Sequence, residues 1–227
     1  MFIAFKEIFT LENLLCLLKG TGYSLGIAIL SLLLGLILGI LGSCGKRSKN
    51  IILKGLANIY VEVIRGTPML LQILIIFSVI PSIYTAFSGK IMRMNPYLIG
   101  VVAMSINSGA YQTELIRSGI NAVDKGQTEA CETLGLSKFQ TMKFVILPQA
   151  FKHIVPPMIS ELITLTKDTS LISTIGAVEL LKGAQILGTN YYDVMSPYCI
   201  AAVYYLIITI VISLIGKKIE MGLALSD

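Results

Sequence analysis

The sequence predicts an all-α membrane protein with five transmembrane helices, the N-terminus outside and the C-terminus cytoplasmic. A short helical segment is expected on the cytoplasmic side between the third and fourth spans. Composition is the first reason. Of the 227 residues, 55% are hydrophobic and 14% charged, whereas soluble domains carry about 25% charged residues; the mean hydropathy is +0.80. The second reason is the length of the uncharged stretches, because a helix needs roughly 20 apolar residues to cross a bilayer. The third is the sidedness of Lys and Arg, which favour the cytoplasm.

No charge falls between Gly20 and Gly45, Gly66 and Gly89, Met94 and Thr113, or Val194 and Gly216. Spans are therefore expected at about 20–45, 57–84, 94–117 and 194–217. The stretch from Phe151 to Gly176 is mostly apolar but carries Lys152, Glu161, Lys167 and Asp168. It is either a polar span of the kind that lines a pathway, at about 150–170, or an interfacial helix. Five crossings place Lys46, Arg47, Lys49, Lys54, Arg117, Lys125, Lys138, Lys143, Lys217 and Lys218 in the cytoplasm. They leave only Lys6, Lys19, Lys90, Arg93 and Lys182 outside. Four crossings would put the tail Lys pair outside, so five are preferred. The small-residue steps Gly22 to Gly26 and Gly35 to Gly39 suit close helix packing as well as they suit ordinary span glycines.

A cleaved leader is not expected, because the first apolar run is too long and Glu7 and Glu12 precede it. Cys16, Cys44, Cys131 and Cys199 are scattered, and His153 is the one histidine, so no metal site is expected. The net charge of +5 is accounted for by cytoplasmic loops and does not imply nucleic acid. Residues 1–227 read as one membrane domain with lipid as its main surroundings.

The segment from about 124 to 148 is different in character. Asp124 and Gln127 have capping-box spacing, which starts a helix near Lys125. Gly135 is placed to end it. Ser137 and Gln140 form a second box, starting a helix expected to run to Pro148. The first helix is too short to cross. Ala130 and Leu134, with Cys131 beside them, make a small apolar face flanked by Glu129 and Glu132. Such a face suits a groove on another protein; the alternative is a helix lying on the bilayer, which the two carboxylates disfavour.

"EACETLGLSKFQTMKFVILP" resembles the EAA loop of ABC-importer permeases: Glu-Ala-Ala, three residues, Gly, nine residues, Ile-x-Leu-Pro. Glu129, Ala130, Gly135, Leu147 and Pro148 match; Cys131 stands for Ala and Val145 for Ile. "EVIRGTPMLLQ", "SINSGAYQTELIRSGI" and "LTKDTSLISTIGAVELL" resemble the second-, third- and fourth-span signatures of polar-amino-acid permeases, the histidine/glutamine/arginine type. The resemblance implies that the first short helix is a coupling helix seated on a cytoplasmic ATPase through Glu129, Ala130, Cys131, Leu134 and Gly135. It also implies a second permease subunit (the same chain or a similar one), a pair of ATPase subunits and an extracytoplasmic amino-acid-binding protein, all at a bacterial inner membrane. The chain lacks GxxxxGK[ST], so ATP and Mg belong to the partner, no cofactor is expected on this chain and no enzyme activity of its own.

Charge inside a bilayer usually has a partner or a function. Asn107, Tyr111 and Glu114 share one face of the third span, and Glu161, Thr164 and Asp168 one face of the fourth. Arg65, Thr67 and Gln72 flank Pro68, which opens the helix and frees backbone groups. An amino acid is a zwitterion. Thr67, Ser170 and freed N–H groups could hold its carboxylate, and Glu161 and Asp168 its ammonium or a cationic side chain. The resemblance places the substrate pocket at these polar positions of the third and fourth spans. Alternatively, Arg65 or Lys167 neutralises the two carboxylates and the set serves only packing. Two other functions stay open: an ion-driven secondary transporter, which leaves the EAA loop without a purpose, and an integral membrane enzyme, for which no nucleophile–base or metal cluster is visible. Co-purification of an ATPase separates the importer from both.

Overall fold

The computed structural model describes residues 8–224; Lys6 and Glu7, used in the orientation and leader arguments, lie outside them. The described residues hold no strand. The helices are α1 (Leu11–Lys46), α2 (Ile51–Arg65), α3 (Met69–Ser88), α4 (Pro96–Asn121), α5 (Lys125–Thr133), α6 (Lys138–Thr141), α7 (Leu147–Asp168), α8 (Leu180–Tyr191) and α9 (Met195–Ala224). A π turn, Met142–Ile146, joins α6 to α7, and a 3-10 turn, Thr169–Ile175, follows α7.

α4 is the central helix. One face meets α1, whose glycines bring the two backbones together. A Cβ on Gly39 would lie 2.7 Å from the Gln112 Cβ and 3.1 Å from the Gln112 backbone carbon. Gly35 and Gly42 similarly admit Ser108 and Thr113. Donors on this face are satisfied locally: Gln112 Nε2 donates to the Leu32 carbonyl at 3.0 Å, and Thr113 donates to the Gly109 carbonyl at 2.8 Å, while Gln112 Oε1 is buried without a partner. A second face of α4 uses Gly100 and Gly119 to receive Ile172 and Ile154 from the α7 segment. The remaining side faces α2 and α3, where the Tyr60 hydroxyl donates to the Ile106 carbonyl at 2.7 Å.

Pairing along the chain gives the directions. α1 and α4 advance together, from Gly35 beside Ser108 to Lys46 paired with Glu114, which Arg117 also holds at 2.7 Å. α3 runs against α4, since Gln72 meets Asn107 while Phe77 and Pro81, further along α3, share a cavity with Pro96 at the start of α4. α7 also runs against α4, as Gly119 meets Ile154 and Gly100 meets Ile172. α9 follows α1, with the Tyr204 hydroxyl on the Leu14 carbonyl. The long segments therefore alternate in direction. Their outward surfaces are apolar, with Leu33, Ile37 and Leu41 of α1 and Leu206, Ile210 and Leu214 of α9 exposed. Such surfaces fit a bilayer.

Several expected boundaries are corrected. α1 starts at Leu11, well before Gly20, because Thr10 caps it and its first turns pack on α8 and α9 through Leu14 and Leu17. The span expected at about 57–84 is two helices: Gly66, Thr67 and Pro68 interrupt it, proline having no N–H to continue the ladder. The helix that Ser137 starts does not stop at Pro148. A π turn, in which the Leu147 N–H reaches the Met142 carbonyl, carries the chain through it into α7. The Ser137–Gln140 box forms. The Asp124–Gln127 box does not: Asp124 takes the Gly126 N–H alone, and Gln127 accepts from Gln149. Gly22 and Gly26 have nothing against them, so only the Gly35–Gly39 step, extended to Gly42, is a packing seam.

By length and apolarity, α1, α3 and α9 are able to cross a membrane, and the α6–α7 segment with α8, bent by 50°, could be a fourth span. α4 falls short because its buried face carries Ser105, Asn107, Ser108, Gln112 and Thr113. α8 was not anticipated from the sequence. It is capped by Glu179, a fully buried carboxylate that accepts from the N–H groups of Leu181 and Lys182 at 2.9 and 2.8 Å. Glu179 also accepts from Ser24 of α1 at 3.3 Å and Tyr205 of α9 at 3.0 Å. Four donors on one buried carboxylate tie three helices together.

The α1–α4 seam has a direct test. Gly39→Ala should destabilise by about 1–3 kcal/mol, because backbone stands where the methyl must go. Gly22→Ala, facing open space, should be neutral. Thermal unfolding of the two purified variants checks this; equal midpoints would contradict the seam.

Candidate functional site

The break between α2 and α3 builds one wall of a cavity. α3 begins at Met69 with no side-chain cap, leaving its first N–H groups without helical partners. Gln72 closes the break from within. Its Nε2 donates to the Ile64 carbonyl at 2.8 Å, the Thr67 carbonyl at 3.1 Å and the Thr67 hydroxyl at 2.8 Å. Its Oε1 accepts from Asn107 Nδ2 at 3.0 Å. Gln72 is thus a buried brace behind the wall. Thr67 lines the cavity, but its hydroxyl hydrogen goes to the Val63 carbonyl at 2.9 Å, so it faces the cavity without a free donor.

The cavity has a volume of ≈ 530 Å³. Arg65, Thr67 and Met69 come from the broken segment, Asn107 and Tyr111 from α4, and Glu161, Thr164 and Asp168 from α7. The i, i+4 step on α4 and the i, i+3, i+7 step on α7 thus converge on one space, as the helix-face reading expects. Glu114, on the same face as Tyr111 by spacing, is held away by Lys46 and Arg117. Ser170 lies in the 3-10 turn and does not line the cavity.

Charge is unevenly placed around this space. The Arg65 guanidinium sits over the Tyr111 ring, 5.1 Å from its centroid. It makes no ion pair with Glu161 or Asp168, and neither does Lys167; the ion pairs among the described residues are those of Glu114. The polar neighbours of Glu161 are the Ser108 hydroxyl and Asp168. Arg65 therefore pairs with neither carboxylate, and Lys167 attracts Asp168 through space without an ion pair. One wall offers donors, Arg65 and the start of α3; the other offers acceptors, Glu161 and Asp168. That suits a small molecule bearing both an anionic and a cationic group.

At the far end of α7 lies the loop that resembles the EAA motif. Gly135 has φ +74°, a conformation that costs little only for glycine. Beside it the Leu136 N–H returns to the Cys131 carbonyl at 3.0 Å, closing α5 in a Schellman-type stop. Ala130, Glu129 and Leu134 are exposed, Leu134 by 78%. Cys131 is 4% exposed. This corrects the expected docking face: the helix turns Cys131 inward, toward the segment that follows, and leaves the other named residues free. α5 stands over a cleft of ≈ 670 Å³ lined by Ile120, Val123, Leu136 and Ile146 with Arg47, Lys125 and Lys138.

The fold and the two features together define a membrane transport subunit. Residues 20–224 match the family described as "Binding-protein-dependent transport system inner membrane component". The chain belongs to that family, whose members are permease subunits and not enzymes. It is 37% identical over 218 residues to the arginine transport system permease protein ArtQ of Bacillus subtilis, covering 96% of this chain and 97% of the relative. It is 36% identical over 204 residues to the glutamine transport system permease protein GlnP of Escherichia coli K12, covering 90% and 91%. Among solved structures, an amino acid ABC transporter crystallised with histidines superposes with a TM-score of 0.84 at 35% identity, over 91% of this chain and 94% of that one.

Removing the brace should cost stability. Gln72→Leu leaves Asn107 Nδ2 without its partner, at about 1–3 kcal/mol for a buried group, and leaves the Ile64 carbonyl only the long contact from the Thr67 hydroxyl. Glu161→Gln and Asp168→Asn should lower the melting temperature little, since neither carboxylate makes an ion pair and Lys167, which attracts Asp168, is exposed. Thermal unfolding of the three variants side by side checks both statements; early melting of the carboxylate variants with a stable Gln72→Leu protein would reverse the assignment.

Proposed function

We propose that the chain is the membrane-spanning half of an ATP-driven importer for a polar amino acid delivered by an extracytoplasmic binding protein. Two permease subunits enclose the path, and a pair of cytoplasmic ATPase subunits, carrying ATP and Mg, drives it. This chain binds neither. Five segments cross the membrane: α1, the broken α2–α3, α4, the α6–α7 segment and α9. Their alternating directions support this topology. Lys46, Arg47 and the α5–α6 loop then lie in the cytoplasm, as the positive-inside rule favours.

The observation that carries the reading is mechanical. Glu161, Thr164 and Asp168 stand on a helical segment that runs from Lys138 to Ile175 with a π turn but no break. Its cytoplasmic end joins α5 through the Gly135 corner. A helix of this length spans about 57 Å. Motion imposed on α5 by an ATPase is thereby delivered along one element to the wall of the cavity. The donor wall on α2–α3 belongs to a different element, so the two walls can separate. That is what alternating access requires. The exposed Ala130 and Leu134 give α5 a small apolar face for a groove, with Glu129 at its edge.

Two experiments bear on it. In a cysteine-free protein, single cysteines at Lys90 and Lys138 are expected to differ in intact cells. An impermeant thiol reagent should reach position 90 and miss 138; labelling of both, or of 138 alone, would overturn the topology. Gly135→Val should leave membrane insertion intact but weaken ATPase association or uncouple hydrolysis from uptake. Nothing lies within 4 Å of a Cβ at this position, so the effect is that of the left-handed backbone alone. Fully coupled uptake by the variant would remove the coupling role of the corner.

A further inference from the structure

The charges around the cavity select among amino acids. Two carboxylates, Glu161 and Asp168, face it and one guanidinium, Arg65. Arg65 is engaged with the Tyr111 ring and leaves both carboxylates unpaired. Lys167, next in the chain to Asp168, attracts that carboxylate through space, but it is exposed, makes no ion pair with it and does not line the space. A further acceptor stands among them. Asn107 is 7% exposed, its Nδ2 is spent on Gln72, and its Oδ1 receives no hydrogen bond. Three acceptor groups, two of them anionic, therefore confront one cationic donor.

We infer that the transported amino acid carries a cationic side chain, an ammonium or guanidinium, in addition to its α-ammonium. The inference rests on the amino-acid importer reading and narrows it. A neutral zwitterion such as glutamine pairs its carboxylate with Arg65 and the start of α3, and its ammonium with one carboxylate. The other carboxylate is then enclosed with no counter-charge, which is costly in a site closed to water. A dibasic amino acid supplies the missing cation. Glu161 and Asp168 are seven residues apart on one helix face, about 10.5 Å of rise. An extended lysine or arginine side chain brings its two cationic ends to such a pair, one at each carboxylate. Asn107 Oδ1 takes one of the remaining N–H donors. Thr164, between the two carboxylates in the helix, lines the space along the side chain.

The test uses the permease–ATPase complex in lipid nanodiscs, titrated with arginine, lysine and glutamine without the binding protein, so that the permease alone sets the preference. Arginine or lysine is expected to bind tighter than glutamine by about tenfold or more. Glu161→Gln and Asp168→Asn should each remove most of that margin, with elution of the variant complexes at the parent's volume as the check that they are folded and assembled. Glutamine binding as tightly as the dibasic amino acids overturns the inference and leaves amino-acid transport standing. So does an unchanged preference in both variants. Binding of none of the three, with no uptake of any of them by the complete system, overturns the importer reading and this inference together.

Discussion

The structure depends on a polar helix being held at the centre of an apolar bundle. α4 carries Asn107, Ser108, Gln112 and Thr113 within about two helical turns, residues that lipid does not accommodate. It can lie there because α1 presents Gly35, Gly39 and Gly42 to it, so the backbones approach and short hydrogen bonds close over the polar groups. Without side chains on that seam, α4 is shielded from lipid on one face, packed against α7 on another, and free to give Asn107 and Tyr111 to the cavity. The site exists because the helix that bears it need not face lipid.

The second wall obeys the same rule by a different device. The proline between α2 and α3 frees backbone groups, and each must find a partner. Gln72 reaches back to the Ile64 carbonyl and outward to Asn107, so one side chain repairs the break and fixes it to α4. The unpaired groups left over, at the start of α3, are those that face the cavity. Binding capacity here is what remains after the fold has satisfied itself. The same reasoning separates Glu179 from Glu161 and Asp168: the first is buried with four donors and serves structure, while the other two make no ion pair.

Much of this was legible in the sequence, and the rest was hidden for physical reasons. Long apolar runs betray α1, α3 and α9, because lipid-facing helices are apolar over most of their surface. The glycine corner and the Ser137 box are local devices, written in local residues. The convergence of Asn107, Tyr111, Glu161, Thr164 and Asp168 follows from helix spacing plus the assumption that intramembrane polar faces meet. The inward turn of Cys131 was not legible, because it depends on how α5 sits against the segment after it. Nor was the role of Gln72, whose partners are fixed by a break four to six residues before it and by a different helix. α8 was missed because its sequence is mildly apolar and too short to span, so only the packing of Leu180, Ala184 and Leu187 against α1 and α9 marks it. The π turn before Pro148 has no signature beyond the proline itself.

The central claim is that motion supplied by ATP at the cytoplasmic loop opens and closes the cavity, with no ion gradient involved. The most direct measurement is uptake of labelled amino acid into proteoliposomes holding the complete transporter and its binding protein, with ATP enclosed and protonophore and sodium ionophore added. The account predicts accumulation that needs the enclosed ATP and is indifferent to the ionophores. Accumulation without ATP that the ionophores abolish would contradict it and make the intramembrane carboxylates the coupling groups of an ion-driven carrier.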